Sequence, residues 1–408
     1  MNANLPAIVK QIVAEHGDSI LTKPRKFSDI FMDMAKDVNK PQKNALLKCL
    51  EHWFVKVLKN ADEHERANCK QQLAQRLHEE EGFDLHLCEE SLELLAGVLF
   101  GEEERQGVVT TIEDKAFAGK KLTSFAIPHS VTSIGEAAFG GNLLTSIAIP
   151  GGVVNIGKLA FARNRLTGVV IPNSVTAIGE AAFIGNLLTS VTIGKSVATI
   201  GDAAFADNQL TSIIIPNSVT AIGEEAFARN KLASITIPTS VATIGARAFV
   251  LNRLTSVTIP NSINTICEAA FAANQLTNIT IPNSVTTIDR SAFLRNQLTS
   301  ATIGKKVVTI GESAFAENRL GSVTIGNSVD TIGLNAFGKN RLTSIIIPNS
   351  VAKIGVSAFT ENQITSITIG VNVALGIFSF ENDFPEFYNE NGRKAGTYTF
   401  TNGKWRLQ

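Results

Sequence analysis

The dipeptide Ala-Phe recurs along this chain with Phe at 117, 139, 161, 183, 205, 227, 249, 271, 293, 315, 337 and 359, a spacing of 22 residues every time. A fixed period over so long a stretch predicts a stack of like supersecondary units rather than a globule of unrelated elements. The unit reads L-T-S-I-x-I-P-x-S-V-x-x-I-G-x-x-A-F-x-x-N-x, clear from Leu122 to Leu143 and from Leu210 to Lys231. Leu210, Ile213 and Ile215 give the alternation of a short strand with one buried face. Pro216 is expected to end that strand, since it cannot donate to a ladder. Gly194, Gly304, Gly326 and Gly370 stand in its place in four units and are expected to stop the strand by another route. Val219 and Ile222 point back inward. Gly223 is expected to allow a tight bend before a short helical turn that carries Ala226 and Phe227 into the core. Asn230 recurs from Asn142 to Asn362, a corner position where its amide can satisfy unpaired backbone groups. No unit buries its Leu, Ile and Phe alone, so the units stack. At a strand spacing of ~4.8 Å, twelve of them extend about 55–60 Å.

The run "LTSIIIPNSVTAIGEEAF" at residues 210–227 resembles the units of the BspA-like bacterial leucine-rich-repeat family. The resemblance covers about residues 108–380 and holds through a dozen units without insertion or deletion. It implies a right-handed curved solenoid, in a family often found as surface adhesins or host-interaction proteins.

The two ends differ. In residues 1–105, Phe27, Ile30, Phe31 and Met34 have helical spacing, as do Leu46, Leu47, Leu50, Phe54 and Leu58, which predicts four or five helices. Beyond Phe380 the repeat dissolves. Asn391-Gly392 and Asn402-Gly403 are turn signals, and the alternation from Thr397 to Phe400 predicts a hairpin over the last open strand edge. The expected fold class is therefore α+β. It comprises a small all-α N-terminal domain (1–105), a right-handed leucine-rich-repeat solenoid of twelve units (106–380) and a C-terminal β-hairpin cap (381–408).

Charge is balanced at 37 basic and 37 acidic residues, but residues 1–105 carry 14 Lys and Arg against 19 Asp and Glu. Neither that segment nor the basic remainder is charged enough to argue for nucleic acid. No stretch reaches the length of a membrane span, and no basic segment followed by an apolar run opens the chain. A cytoplasmic location is expected, with export or cell-surface display by a non-classical route as the alternative. The four cysteines include no CxxC pair, and only Cys267 lies in the repeats, so disulfides are not expected to hold them together.

Catalytic signatures are missing: His129 and Cys267 stand in unrelated units, and there is no G-x-S-x-G, phosphate loop or HExxH. No catalytic residue, cofactor or metal is expected. Glu136, Glu180, Asp202, Glu224, Glu268 and Glu312 follow the turn glycine. They read better as the favoured first residues of a helical turn than as a metal ladder. In the N-terminal segment, Cys49, His52, His86 and Cys88 raise the question of zinc, at a spacing that is not standard for it.

Two surfaces are candidates for a partner. One is the outward face of the strands, with Ser190 and Thr192, Ser234 and Thr236, Ser256 and Thr258, interrupted by Val170, Ile214 and Ile346. Ser and Thr also simply suit an exposed strand. The other is a basic edge beside the Asn corner, with Arg163, Arg165, Arg229, Lys231, Arg253, Arg295, Arg319, Lys339 and Arg341, diluted by Asp207, Glu317 and Glu361. Residues 108–380 contain neither Trp nor Tyr, so binding would rest on many weak polar contacts. The expected function is a non-enzymatic protein-interaction scaffold whose partner presents an acidic surface. The alternatives are an exported adhesin for a host matrix protein or glycan, and a metal-dependent activity in the helical domain.

Overall fold

The structure, a computed structural model, describes residues 109–408 and seven positions before them: Val9, Gln11, Ile12, Phe31, Asn44, Leu46 and Ala74. The chain divides into two compact units, 1–109 and 110–408. Apart from those seven positions, the four or five helices expected in residues 1–105, and the Cys49, His52, His86 and Cys88 group, lie outside the described residues.

The second unit is a parallel β solenoid with three sides to each coil. On the return side, two-residue strands pair in parallel at an interval of 22, as in Thr111↔Ser133 and Ile112↔Ile134. Seven strands run from Thr111–Ile112 to Thr243–Ile244, and six more from Thr265–Ile266 to Ala374–Leu375. The isoleucine of each such pair is buried, which fixes the register against a one-residue slip.

The third side corrects the expected helical turn. Glu225 lies at φ 53° and Arg229 at φ 56°, and equivalent left-handed residues recur coil after coil. A left-handed residue breaks an α-helix, and the amides here pair with the next coil instead. Glu225 donates to the Ala246 carbonyl at 2.9 Å, Phe227 to Ala248 at 2.9 Å and Arg229 to Val250 at 2.9 Å. Within residues 109–408 the one α-helix is Phe384–Glu390. The expected α+β class is thus corrected, for residues 109–408, to a mostly β parallel solenoid, while the all-α domain expected in 1–105 lies outside the described residues apart from those seven positions. Backbone bonds in each coil are satisfied by its neighbours rather than inside helices.

Two glycine expectations also change. Gly223 is not a bend device: a Cβ there would stand 2.6 Å from the Asp202 amide nitrogen and 2.7 Å from the Gly201 carbonyl carbon. Its role is close approach of successive coils. The same holds on the strand side. A Cβ on Gly194, Gly304 or Gly326 would come within 2.5 Å or less of a carbonyl oxygen on the preceding coil. Ladders form on this side between Gly168–Val170 and Ser190–Thr192, through Asn278–Thr280, Ser300–Thr302 and Ser322–Thr324, and between Ser344–Ile346 and Ser366–Ile369. In each pairing the later strand is followed by Gly194, Gly304, Gly326 or Gly370. Where proline follows, one isolated bridge forms, Thr236↔Thr258. Missing Cβ atoms, rather than strand endings, decide where this sheet closes up.

The interior is filled. The rings from Phe117 to Phe359 stack at 5.2–5.7 Å with planes 2–15° apart. Phe380 adds a thirteenth ring 4.7 Å beyond Phe359, one residue short of the period. Asn142 to Asn362 form a buried ladder beside the rings. Asn230 accepts the Leu210 amide at 3.0 Å and donates to the Phe205 carbonyl at 2.9 Å and the Phe227 carbonyl at 3.2 Å. Each amide therefore ties two coils together.

At the C-terminus, Ser366–Ile369 pairs antiparallel with Gly396–Thr401, which turns through Asn402-Gly403 to pair with Lys404–Leu407. Asn391-Gly392 instead follows the helix. Phe384, Tyr388, Tyr398 and Trp405 are buried over the end of the stack. The Tyr388 hydroxyl donates to the Gly370 carbonyl at 2.5 Å, and Trp405 Nε1 donates to the Asn382 carbonyl at 2.9 Å.

Candidate interaction surface

The strand side presents two outward columns. One runs through Ser190, Ser234, Ser256 and Ser300, the other through Thr192, Thr236, Thr258 and Thr302, and all eight are exposed. Where the coils close up they stand in register, with Ser300 opposite Ser322 and Thr302 opposite Thr324. Val170, Ile214 and Ile346 interrupt the second column and are 63%, 85% and 70% exposed. Where the strands pair, equivalent residues stand about 4.8 Å apart, so the two columns make stretches of hydroxyl lattice with isolated apolar points.

The basic edge separates into two columns with different electrostatics. The residue before Asn sits at the left-handed position and includes Arg163, Asp207, Arg229, Arg295, Glu317, Lys339 and Glu361. Here opposite charges meet between coils. Arg229 Nε lies 2.6 Å from Asp207 Oδ1, with Glu225 Oε2 3.0 Å from its Nη2, and Arg295 Nε lies 2.8 Å from Glu317 Oε2. The hydrogen bond from Arg295 holds the Glu317 carboxyl below the usual glutamate range, helped by charge from Arg295 and Lys339. The residue after Asn is Arg165, Lys231, Arg253, Arg319 or Arg341 in five coils, and Leu or Gln in the coils between, never an acid. Its amide binds the previous coil, as from Lys231 to the Leu210 carbonyl at 2.9 Å and from Arg253 to Leu232 at 3.0 Å. Among the described residues no carboxylate is in ion-pair distance of Arg165, Lys231, Arg253, Arg319 or Arg341. Lys231 Nζ meets Gln209 Oε1 at 3.1 Å. Sequence reasoning merged these columns. The distinguishing signal was present, because every acid of the edge precedes the Asn.

The acids after the turn glycine do not converge on a point. Asp202 Oδ1 accepts the Glu224 amide at 2.7 Å. Glu224, Arg247, Glu268 and Arg290 form a zipper across four coils, with Arg247–Glu224 at 2.9 Å and Arg290–Glu268 at 2.7 Å; Arg247 also contacts Glu268. Since no helix begins here, the dipole explanation is corrected to ion pairing between coils for Glu180, Glu224 and Glu268, and to acceptance of a backbone amide for Asp202. No group of three or more His, Cys, Asp or Glu able to hold a metal occurs among the described residues. Burial pushes the Cys267 thiol up, and the charge of Asp289 adds to this, opposite to what a nucleophile requires. Among the described residues no helix is long and apolar enough to cross a membrane.

Comparison with known proteins bears on the repeats alone. The family described as BspA type Leucine rich repeat region (6 copies) matches over residues 110–232, 198–320 and 286–403. No curated protein matches the chain. A leucine-rich repeat protein from Bacteroides ovatus is 23% identical over 68% of this chain and 75% of its own, with a TM-score of 0.47. The pneumococcal vaccine antigen PcpA is 22% identical over 66% of this chain and 72% of its own, with a TM-score of 0.44. A leucine-rich repeat protein from Eubacterium ventriosum is 24% identical over 63% and 81%, with a TM-score of 0.42.

Proposed function

Because this chain belongs to the BspA-type leucine-rich repeat family, we propose that it is an interaction scaffold that holds a protein partner against its strand side and the adjoining basic column. The observation that carries this reading is the unneutralised column of Arg165, Lys231, Arg253, Arg319 and Arg341 bordering the hydroxyl lattice. Like charges on adjacent coils, Lys231 with Arg253 and Arg319 with Arg341, create a field that reaches about 8 Å at physiological salt. Hydroxyls act only on contact. An acidic partner surface is drawn in by the column and then held over many coils by short polar contacts and the apolar points Ile214 and Ile346.

The filled interior supports the same reading, since the Phe stack and Asn ladder leave the outside of the coils to carry function. Arg229 and Arg295 are already paired within the fold and contribute less than their charge suggests. The test is affinity capture with the intact chain and with a variant carrying Lys231→Glu, Arg253→Glu, Arg319→Glu and Arg341→Glu. Proteins held by the wild type, released by added salt and lost with the variant are the expected result. The same set of proteins held by both forms would overturn the reading.

A further inference from the structure

The column after the turn-side glycine is charged from Glu136 to Glu312 in every coil except that of Ala246, but it becomes Leu334, Val356 and Ile377 in the last three. These three are 47%, 42% and 64% exposed. They stand on successive coils joined by backbone bonds, with Ser313 donating to the Leu334 carbonyl at 2.8 Å, Asn335 to Val356 at 2.9 Å and Ser357 to Ile377 at 3.1 Å. Next to them Phe378 is 65% exposed at φ 55°, a position that earlier coils fill with Ala203, Ser313 and Ser357 but also with Leu159, Glu225 and Arg247, and with no other aromatic residue. A bulky side chain in left-handed backbone is uncommon, and this one gains no burial for it. The row is a continuous apolar ridge that departs from the repeat just where the repeat ends.

Beside the ridge lies a recess of about 180 Å³ between Phe378, Phe380 and the carboxylates of Glu381, Asp383 and Glu386. Glu361 stands next to the lining residue Thr360, its amide donating to Glu381 Oε1 at 2.7 Å. The amide of Lys339 bonds to Thr360 on the same border, while its charge acts on Glu317 of the preceding coil.

We infer that this ridge and recess dock a basic amphipathic helix of another protein, with one Lys or Arg side chain entering the recess against Phe378. Three coils span about 10 Å, which matches apolar residues at i, i+4 and i+7 of a helix rising ~1.5 Å per residue. The rim carboxylates set the sign of the flanking charge, and an aromatic face beside carboxylates favours a cation. This site is separate from the strand side and its basic column.

The probe is a 16-residue helical peptide of leucines on one face and lysines on the other, with a control in which glutamate replaces lysine. Binding to the full chain is followed by fluorescence anisotropy. The lysine peptide is expected to bind at least about tenfold more tightly than the control. Ile377→Ser with Phe378→Asn should weaken it by about tenfold or more without lowering the melting temperature, since both side chains are exposed and Asn tolerates left-handed backbone. Asp383→Asn with Glu386→Gln should weaken it several-fold and flatten its salt dependence. Ile214→Ser, on the strand side, should leave it unchanged. Equal binding of the two peptides, indifference to the ridge variant, or loss on Ile214→Ser would overturn the inference. So would a self-associated chain that Ile377→Ser converts to monomer, because the occupant would then be a second copy.

Discussion

A Cβ on residue 304 would stand 2.5 Å from the carbonyl oxygen of Pro282 on the preceding coil, and Gly304 has none. That missing atom lets Ser300–Thr302 approach Asn278–Thr280 closely enough for Ile281 to donate to the Thr302 carbonyl at 2.9 Å. Gly304→Ala should therefore force the coils apart at a cost of ~1–3 kcal/mol, as overpacking does. Hydrogen exchange should show the Ile281 amide losing protection, while Pro216→Ala, in a coil without a ladder, leaves its neighbours unchanged.

Phe227 packs between Phe205 and Phe249 at 5.6 Å on both sides and is fully buried. Phe227→Ala should cost ~3–5 kcal/mol, measured by denaturant unfolding. A stability equal to that of the wild type would contradict the stacked core.

Asn230 serves four backbone groups on two coils, the Ala228 carbonyl at 3.2 Å being the fourth. Asn230→Ala leaves the Leu210 amide and the Phe205, Phe227 and Ala228 carbonyls without that partner, at ~1–3 kcal/mol for each group that stays buried and unsatisfied. Asn230→Asp keeps the acceptor but loses every donated bond and buries a charge. The Asp variant should be the less stable at neutral pH and should recover part of the difference in acid, which a pair of melting curves at the two pH values will show.

The return-side ladder breaks between Thr243–Ile244 and Thr265–Ile266. That is the coil in which Cys267 stands where the two preceding coils have Gly223 and Gly245 and the next has Asp289. A Cβ alone does not open the ladder, because Asp289 in the next coil carries one and its amide still donates to the Ile266 carbonyl at 2.9 Å. The amides of Asn264 and Cys267 make no backbone bond to the preceding coil among the described residues, whereas Gly245 donates to the Ile222 carbonyl at 2.8 Å. Cys267→Gly tests the thiol itself: bonds restored from positions 264 and 267 should raise stability by ~1 kcal/mol after the entropy cost of glycine. Slower exchange at positions 264 and 267 is the direct readout.

A hydrogen bond from Arg290, aided by the charges of Arg247 and Arg290, holds the Glu268 carboxyl below the ordinary glutamate range against the opposing effect of burial. A group lowered on folding stabilises the fold above its unfolded value, about 4.3 for glutamate, and loses that contribution as pH falls through the folded value. Glu268→Gln should thus be less stable than the wild type near neutrality, and the two should converge in acid below pH 4. Parallel stability curves across that window would remove Glu268 from the acid response.

Much of this molecule could be read before its coordinates. The period, the inward Leu, Ile and Phe and the buried Asn all follow from one unit, because an apolar position repeated every 22 residues must meet its own copy when units stack. The hairpin from Thr397 to Leu407 was legible for a related reason, since a two-residue Asn-Gly turn between alternating segments is a local signal. The thirteenth ring, Phe380, escaped because it comes one residue early. Leu334, Val356 and Ile377 were visible as departures from an otherwise charged column, but their meaning needed the coils to be in register.

What the sequence alone determined is the content of each coil: which side chains face in, the 22-residue period and the twelve regular units. What the tertiary structure decided is everything that depends on the neighbour 22 residues away. Glu225 and Arg229 take left-handed backbone, not helix, because the next coil supplies acceptors for their amides. Gly304 matters for the carbonyl of Pro282 and not for its own strand. Arg229 is tied to Asp207 while Arg253 has no carboxylate beside it, although both lie next to an Asn in the sequence. Local pattern fixes which way a side chain points, but pairing, close approach and neutralisation are set by distances between coils, and those exist only once the chain has stacked.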